Sequence, residues 1–420
     1  MTTRTAIVDT AVDADTSRLV ELFKDLHRHP ELGFAETRTS GIVARELAGL
    51  GFAVKTGIGR TGVAAMLRNG AGPTVMYRAD MDALPVAEDT GLDYASTVQV
   101  AGQDGTPSPV AHVCGHDAHV TWMLGMAKVL AGATDAWSGT AVLVGQPAEE
   151  LIAGAQAMVD NGLYDVVPKP DHLVGMHTAP GPVGMVAAGG GPMMAGSDQM
   201  DIVFRGVGGH GSMPQLAKDP VVMAALAVVE FQTIVSRMIP PHETAVLTVG
   251  SVQAGSAHNV IPDRALLKVN LRWFEPHVRE RLIDGIRAVC DGIARTYGMP
   301  EDQLPQVRLT GGSTPLVNDA NLCARLAAAL GKAIGPDRVL TNLPPVTASE
   351  DCQLLKGPYP EIPLAYLFVG VADPQVYSEA LAAGKLFPYS PHSPDYRVDL
   401  AAVPFGTKVA GQVMLELLGR

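Results

Sequence analysis

Thr74-Val75-Met76-Tyr77-Arg78-Ala79-Asp80-Met81-Asp82 is an apolar run that breaks into two acids one residue apart. Two more short apolar runs repeat the pattern: residues 140–144 lead into Glu149-Glu150, and 172–176 lead into His177. Helical patterns at 121–130 and 154–159 separate them, and this alternation predicts an α/β fold with a mostly parallel sheet flanked by helices. Such sheets collect ligands beyond the carboxyl ends of their strands, where these acids and this histidine would meet. Upstream, Leu19, Leu22, Phe23 and Leu26 predict a helix over 17–28 that Pro30 ends. Downstream the pattern changes. Strand-like stretches at 199–205, 245–252, 264–274 and 306–309 and helical stretches at 220–235 and 277–297 predict a small α+β sandwich inserted at 197–312. The chain then returns to the first domain with a helix at 321–334 and a strand at 363–369, so residues 1–196 and 313–420 form one discontinuous domain.

A length of 420 residues exceeds what one core usually organises, which agrees with two domains. The net charge of −12, without any Lys/Arg cluster, argues against a nucleic-acid partner and for a small-molecule one. Cys114, Cys290, Cys323 and Cys352 lie far apart with no C-x-x-C spacing, which fits reduced thiols and a cytoplasmic location. The N-terminal stretch is too polar for an export signal, and no run of about 18 continuous apolar residues predicts a membrane span.

The chemistry concentrates in Cys114-Gly115-His116-Asp117, Glu149-Glu150, His177 and His392. Thiolate, imidazole and carboxylate together select a borderline-soft divalent ion such as zinc. If Glu150 holds metal, Glu149 is a surplus carboxylate placed to act as general base. Cys114 and His116 open a helical pattern, where the helix dipole favours a thiolate. The plainer alternative is a buried cysteine beside capping residues, with two acids in a helix first turn. Asp80 and Asp82 read as residues that orient a ligand histidine rather than as ligands, with turn chemistry as the alternative. His112 and His119 either support a ligand or face solvent. Glu350 and Asp351 lie at the end of Thr347-Ala348-Ser349-Glu350, which fits a capping box at a helix start. In the inserted domain, His210 lies in a Gly-rich turn and Asn259 in a polar loop; on the residues alone they read first as plain polar loop residues, with donation to a developing oxyanion as the functional alternative. Arg272, in a strand otherwise apolar on one face, calls for an anion such as a substrate carboxylate. Met193, Met194 and Met213 suit either a malleable acyl pocket or ordinary packing.

The segments His29-Pro30-Glu31-Leu32, Arg78-Ala79-Asp80-Met81-Asp82-Ala83-Leu84-Pro85, His112-Val113-Cys114-Gly115-His116-Asp117-Ala118-His119, Gln146-Pro147-Ala148-Glu149-Glu150, Gly209-His210, Asn259-Val260-Ile261-Pro262-Asp263, Ser349-Glu350-Asp351 and His392-Ser393-Pro394 carry a likeness. From about residue 20 onward the chain resembles the aminoacylase/carboxypeptidase-type metallopeptidase family. The branch is that of amidohydrolases acting on N-acyl amino acids, hippurate and auxin conjugates.

The resemblance implies a catalytic domain with two divalent ions per subunit (zinc, manganese, cobalt or nickel). It also implies that the inserted domain is a lid that dimerises, giving a homodimer or higher homo-oligomer. Cys114, His116, Glu150, His177 and His392 then correspond to the metal ligands and Glu149 to the base. His210 and Asn259 contact the scissile carbonyl, His210 often from the partner subunit, and Arg272 binds the substrate carboxylate. The implied reaction hydrolyses an N-acyl amino acid or similar conjugate to a carboxylic acid and an amino acid. Carboxypeptidase or dipeptidase activity is one alternative, and a catalytically silent metal-dependent binding protein is another. Five protein ligands also exceed what one tetrahedral hydrolytic ion with an open position takes, in keeping with two ions. Residues 106–110 look like a small insertion, and Cys352 stands where an aromatic is usual.

Overall fold

The computed structural model describes residues 3–102 and 105–419, so Met1 and Thr2 of the N-terminal stretch read above lie outside it. Two compact units are present. The first comprises Met1–Met193, Val317–Pro344 and Asp351–Arg420, and the second Met194–Leu316 and Pro345–Glu350.

In the first unit an eight-stranded sheet runs in the order Ala53–Ile58, Gly62–Asn69, Gly139–Gln146, Thr74–Asp80, His172–Pro182, Leu364–Ala372, Val186–Ala187, Val339–Leu340. Its four central strands, Gly139–Gln146 through Leu364–Ala372, are parallel, and antiparallel pairings lie toward both edges. The central strands are covered on both faces, which is why they read as unbroken apolar runs rather than as alternation. Three helices, Arg4–Arg28, His116–Gly132 and Ala402–Leu418, pack together against this sheet. The first begins well before residue 17, capped by Thr3, whose side chain accepts the Ala6 N–H at 3.2 Å. Val8 and Val12 extend the buried stripe of Leu19, Phe23 and Leu26, and the polar residues between them mask that spacing in the sequence. Pro107–Pro109, within the expected insertion, pairs with Gln99–Ala101 as a short hairpin.

The second unit is an antiparallel sheet ordered Ala245–Ala254, Arg264–Trp273, Gly196–Arg205, Gln306–Ser313. Helices Pro220–Thr233 and Pro276–Thr296 pack on it around Phe204, Phe231, Leu267, Leu271 and Leu282. The sequence keeps 345–350 with the first domain, but backbone bonds decide otherwise. Ala195 N–H donates to Val346 O at 3.1 Å and to Ala348 O at 2.9 Å, and Ser349 Oγ donates to Ala195 O. Pro220–Met238 is long and apolar enough to cross a membrane, with a mean hydropathy of 1.6, although Glu230 and Arg237 interrupt it. One face of that helix, Met223, Ala227, Phe231 and Ile234, belongs to the core of the second unit.

Candidate metal centre

Gly115 sits at the N-cap of His116–Gly132 with φ +83, and a Cβ there would lie 2.7 Å from the Thr178 side chain. Only glycine gives this left-handed turn and close approach together. Thr178 Oγ1 donates to Cys114 O at 2.7 Å and accepts from Tyr396 Oη at 2.8 Å, while His392 N–H donates to Val113 O at 2.8 Å. Three segments distant in sequence are thereby stitched around one point.

The five expected ligands of the first unit converge there. Cys114 Sγ lies 3.5 Å from His177 Nε2, and His392 Nε2 lies 3.4 Å from Glu150 Oε1. Donor atoms of Cys114, Glu150 and His392 fall within 4.8 Å of one another, as do those of His116, Glu149 and Glu150. His116 Nε2 is 3.8 Å from Glu150 Oε1 and 3.9 Å from Glu149 Oε2. Both ring nitrogens of this fully buried histidine lack a hydrogen-bond partner among the described residues. Ligands held tetrahedrally at about 2.0–2.3 Å from one ion stand about 3.3–3.8 Å apart, longer than hydrogen bonds, and this is close to the spacing present.

The charges point the same way. Burial, then Glu150 and Glu149, pushes the Cys114 thiol well above its ordinary value. Burial opposes charging His116, but Asp80, then Asp82 and Glu150, outweigh it and raise its pKa to about 10. A cation at the centre would resolve both, so the donor set fits a divalent metal.

Hydrogen bonds show which ring nitrogens and carboxylates are already engaged and which stay open. His177 Nδ1 pairs with Thr178 O at 2.7 Å and must donate, which leaves Nε2 as the lone pair facing Cys114. Burial, then His119, pushes the His177 pKa down to about 3, so the ring is neutral. His119 has no free nitrogen, because Nε2 accepts the Thr178 N–H at 2.8 Å and Nδ1 donates to Asp80 Oδ1 at 2.5 Å. His119 is therefore a buried support and does not face solvent. Asp80 Oδ2 accepts from the fully buried Arg78 at 2.6 Å. Asp82 accepts the backbone N–H groups of both Glu149 and Glu150 at 3.0 Å and places Oδ1 3.4 Å from His116 Nδ1. His112 is buried as well, with neither ring nitrogen hydrogen-bonded among the described residues.

The capping-box reading of Thr347-Ala348-Ser349-Glu350 is corrected, since no α-helix starts there. Only a short 3-10 turn, Cys352–Lys356, follows, and Asp351 makes no capping bond. Its carboxylate instead accepts from Gln146 Nε2 at 2.6 Å, Ala155 N–H at 3.0 Å and Arg78 Nη2 at 3.4 Å.

In the second unit, Gly209–His210 pairs with Val260–Ile261, which sets His210 and Asn259 on one ribbon lining a groove of about 950 Å³. The Ser212 N–H donates to His210 Nδ1 at 3.1 Å, so Nε2 carries the proton in the neutral ring and is the outward donor. Ser212 and Thr178 both escaped the sequence reading, although each lies within two residues of a singled-out histidine. Arg272 is half-buried and donates to Asn270 Oδ1 at 2.8 Å and to Ser349 Oγ, both neutral. Burial lowers its pKa with no carboxylate opposing the shift. Met193 and Met194 are buried and Met213 is exposed.

Residues 76–416 match the profile of peptidase family M20/M25/M40. The chain is 36% identical over 342 residues to a hippurate hydrolase of Campylobacter jejuni, covering 80% of this chain and 85% of that protein. It is 37% identical over 289 residues to an N-acetylcysteine deacetylase of Bacillus subtilis, covering 67% and 72%. Among solved structures, the Bacillus subtilis YXEP protein, described as a dinuclear metal-binding peptidase of the M20 family, is similar with a TM-score of 0.75. Identity there is 27%, covering 97% of this chain and 99% of that one. The chain belongs to peptidase family M20/M25/M40.

Proposed function

We propose that this chain is a metal-dependent amidohydrolase that cleaves the amide of an N-acyl amino acid or related conjugate to a carboxylic acid and an amino acid. The observation that carries this reading is Glu149, a buried carboxylate beside a full ligand set, on a chain whose relatives are named hydrolases and deacetylases of such compounds. Cys114, His116, Glu150, His177 and His392 would hold two divalent ions, drawn from zinc, manganese, cobalt or nickel. Bound there, such ions supply Lewis acidity toward the scissile carbonyl and the attacking water. Glu149 takes the proton of that water on its carboxylate and passes it to the departing amine. His210 Nε2–H and the Asn259 amide donate to the carbonyl oxygen as negative charge develops on it. Arg272, held by two neutral partners, keeps its remaining N–H groups for the substrate carboxylate. The four unbridged, buried cysteines suit a reducing, cytoplasmic setting.

Glu149→Gln tests the assignment on acetyl, benzoyl and indolylacetyl amino acids. Elemental analysis should find unchanged metal content while kcat falls by about 10²–10⁴. An unchanged kcat would remove Glu149 from the role of base. Blocking the substrate carboxylate as an amide should raise KM, whereas a dipeptidase would favour substrates with a free amino terminus.

A further inference from the structure

The acids Glu149 and Glu150 sit in an unusually bent stretch of backbone. Ala148 and Ile152 both have left-handed φ, +49 and +52, a region that β-branched side chains avoid. The stretch closes on itself: Ile152 N–H donates to Glu149 O at 2.6 Å and Gly154 N–H to Ala148 O at 3.2 Å. A Cβ on Gly154 would lie 1.5 Å from Pro147 O. Short internal bonds do not by themselves hold two non-glycine residues in this form, so the surroundings must over-determine it.

Three carboxylates from distant parts of the first unit do so. Asp82 takes the N–H groups of Glu149 and Glu150, and Asp351 takes that of Ala155. The third is Glu36, whose Oε1 accepts the Ala148 N–H at 2.8 Å. Glu36 is the N-cap of helix Thr37–Gly49 yet makes no capping bond with its side chain, which is fully buried. Thr61 Oγ1 donates to Oε2 at 2.5 Å and aims the carboxylate. The turn before Glu36 packs on the same stretch, since a Cβ at Gly33 would meet Ala148 at 3.2 Å and Leu151 at 3.1 Å. Burying a carboxylate is costly, and here the cost is borne at the residue immediately before Glu149.

We propose that Glu36 is a positioning residue: by clamping the Ala148 N–H it holds 147–154 in the left-handed bend that turns Glu149 and Glu150 toward the metal set. This rests on the roles proposed above for those two acids. Geometry, more than charge, is what the clamp supplies. Glu36→Gln keeps an oxygen at the same reach, whereas Glu36→Asp keeps the charge but falls one methylene short of Ala148.

The test compares wild type, E36Q and E36D by hydrogen–deuterium exchange of 147–154 in metal-free protein, by zinc affinity, and by kcat and KM on benzoylglycine. E36D should exchange faster across 147–154, bind zinc about tenfold more weakly and, when loaded, lose about tenfold in kcat with a smaller change in KM. E36Q should stay within about threefold of wild type in affinity and kcat. A general loss of stability would lower the melting temperature without moving zinc affinity. Wild-type behaviour of E36D in exchange and affinity overturns the proposal, and so does E36Q as impaired as E36D. If E36D does not fold, T61V, which releases the aim of the carboxylate, should shift exchange and affinity in the same direction by less; no shift is again fatal. Exchange and affinity remain informative if wild type hydrolyses none of the substrates, a result that would sink the proposed activity and leave the clamp standing.

Discussion

His27 stands between two carboxylates, with Nδ1 2.6 Å from Asp117 Oδ2 and Nε2 3.1 Å from Glu88 Oε1. A ring with an ionised acid at each nitrogen donates from both and is cationic. Burial disfavours that charge, but Asp117 and then Glu88 outweigh it and raise the pKa from 6.5 to about 9. The folded value lies above the unfolded one. The bridge therefore contributes its full stability below about pH 6.5 and loses it as pH rises through about 9. That displacement corresponds to about 3 kcal/mol. His27→Gln should accordingly be less stable than wild type by about that much near pH 6. The gap should narrow as pH is raised past about 9, measured by urea unfolding of metal-free protein. A gap that does not depend on pH would mean that the ring is neutral. Asp117 follows a proposed ligand directly, so this imidazolium ties the first helix of the chain to the helix that carries His116.

At the scale of elements, the start of His116–Gly132 is the most exacting piece of backbone. Gly115→Ala forces a Cβ into the left-handed region and against Thr178, and should cost about 1–3 kcal/mol. Metal content by elemental analysis should fall with it, because Cys114 and His116 flank the turn; a variant with full stability and full metal would contradict this account of the cap. The same region shows what a linear reading can and cannot find. The central strands were legible because burial on both faces writes them as apolar runs, and the clustering of the proposed ligands because their residue types are rare in that company. The role of Asp351 was not legible: it directly follows a capping-box pattern, and its actual partners Arg78, Gln146 and Ala155 lie 273, 205 and 196 residues upstream. The clamp on Ala148 was hidden likewise, because Glu36 and Ala148 meet only through tertiary packing. The first half of helix Arg4–Arg28 went unread because its two anchoring valines are set among polar residues.

For the whole molecule, the open question is what covers the second unit. Val222, Leu226 and Val229 form an apolar stripe on helix Pro220–Thr233, exposed by 42, 45 and 69%. Ala245–Ala254 is the edge strand of the same unit, with Val252 exposed as well. An apolar stripe beside an open strand edge is a liability unless another surface meets it. A bilayer fits poorly, because the opposite face of the helix is the core of the unit and leaving it would expose Phe231 and Ile234. A second copy of the chain fits both features, in keeping with the dimerising lid expected of the inserted domain from the sequence. Wild type should therefore sediment as a dimer at micromolar concentration. Leu226→Glu combined with Val229→Glu should weaken association by at least about a thousandfold, since each buried side chain is worth about 1.5–3 kcal/mol and both copies carry the change. The five proposed ligands all lie in the first unit, so the monomeric variant should keep its full metal content. A monomeric wild type, or a variant that still dimerises, would remove this face as the interface. Flotation of wild type with lipid vesicles would assign the stripe to a membrane instead.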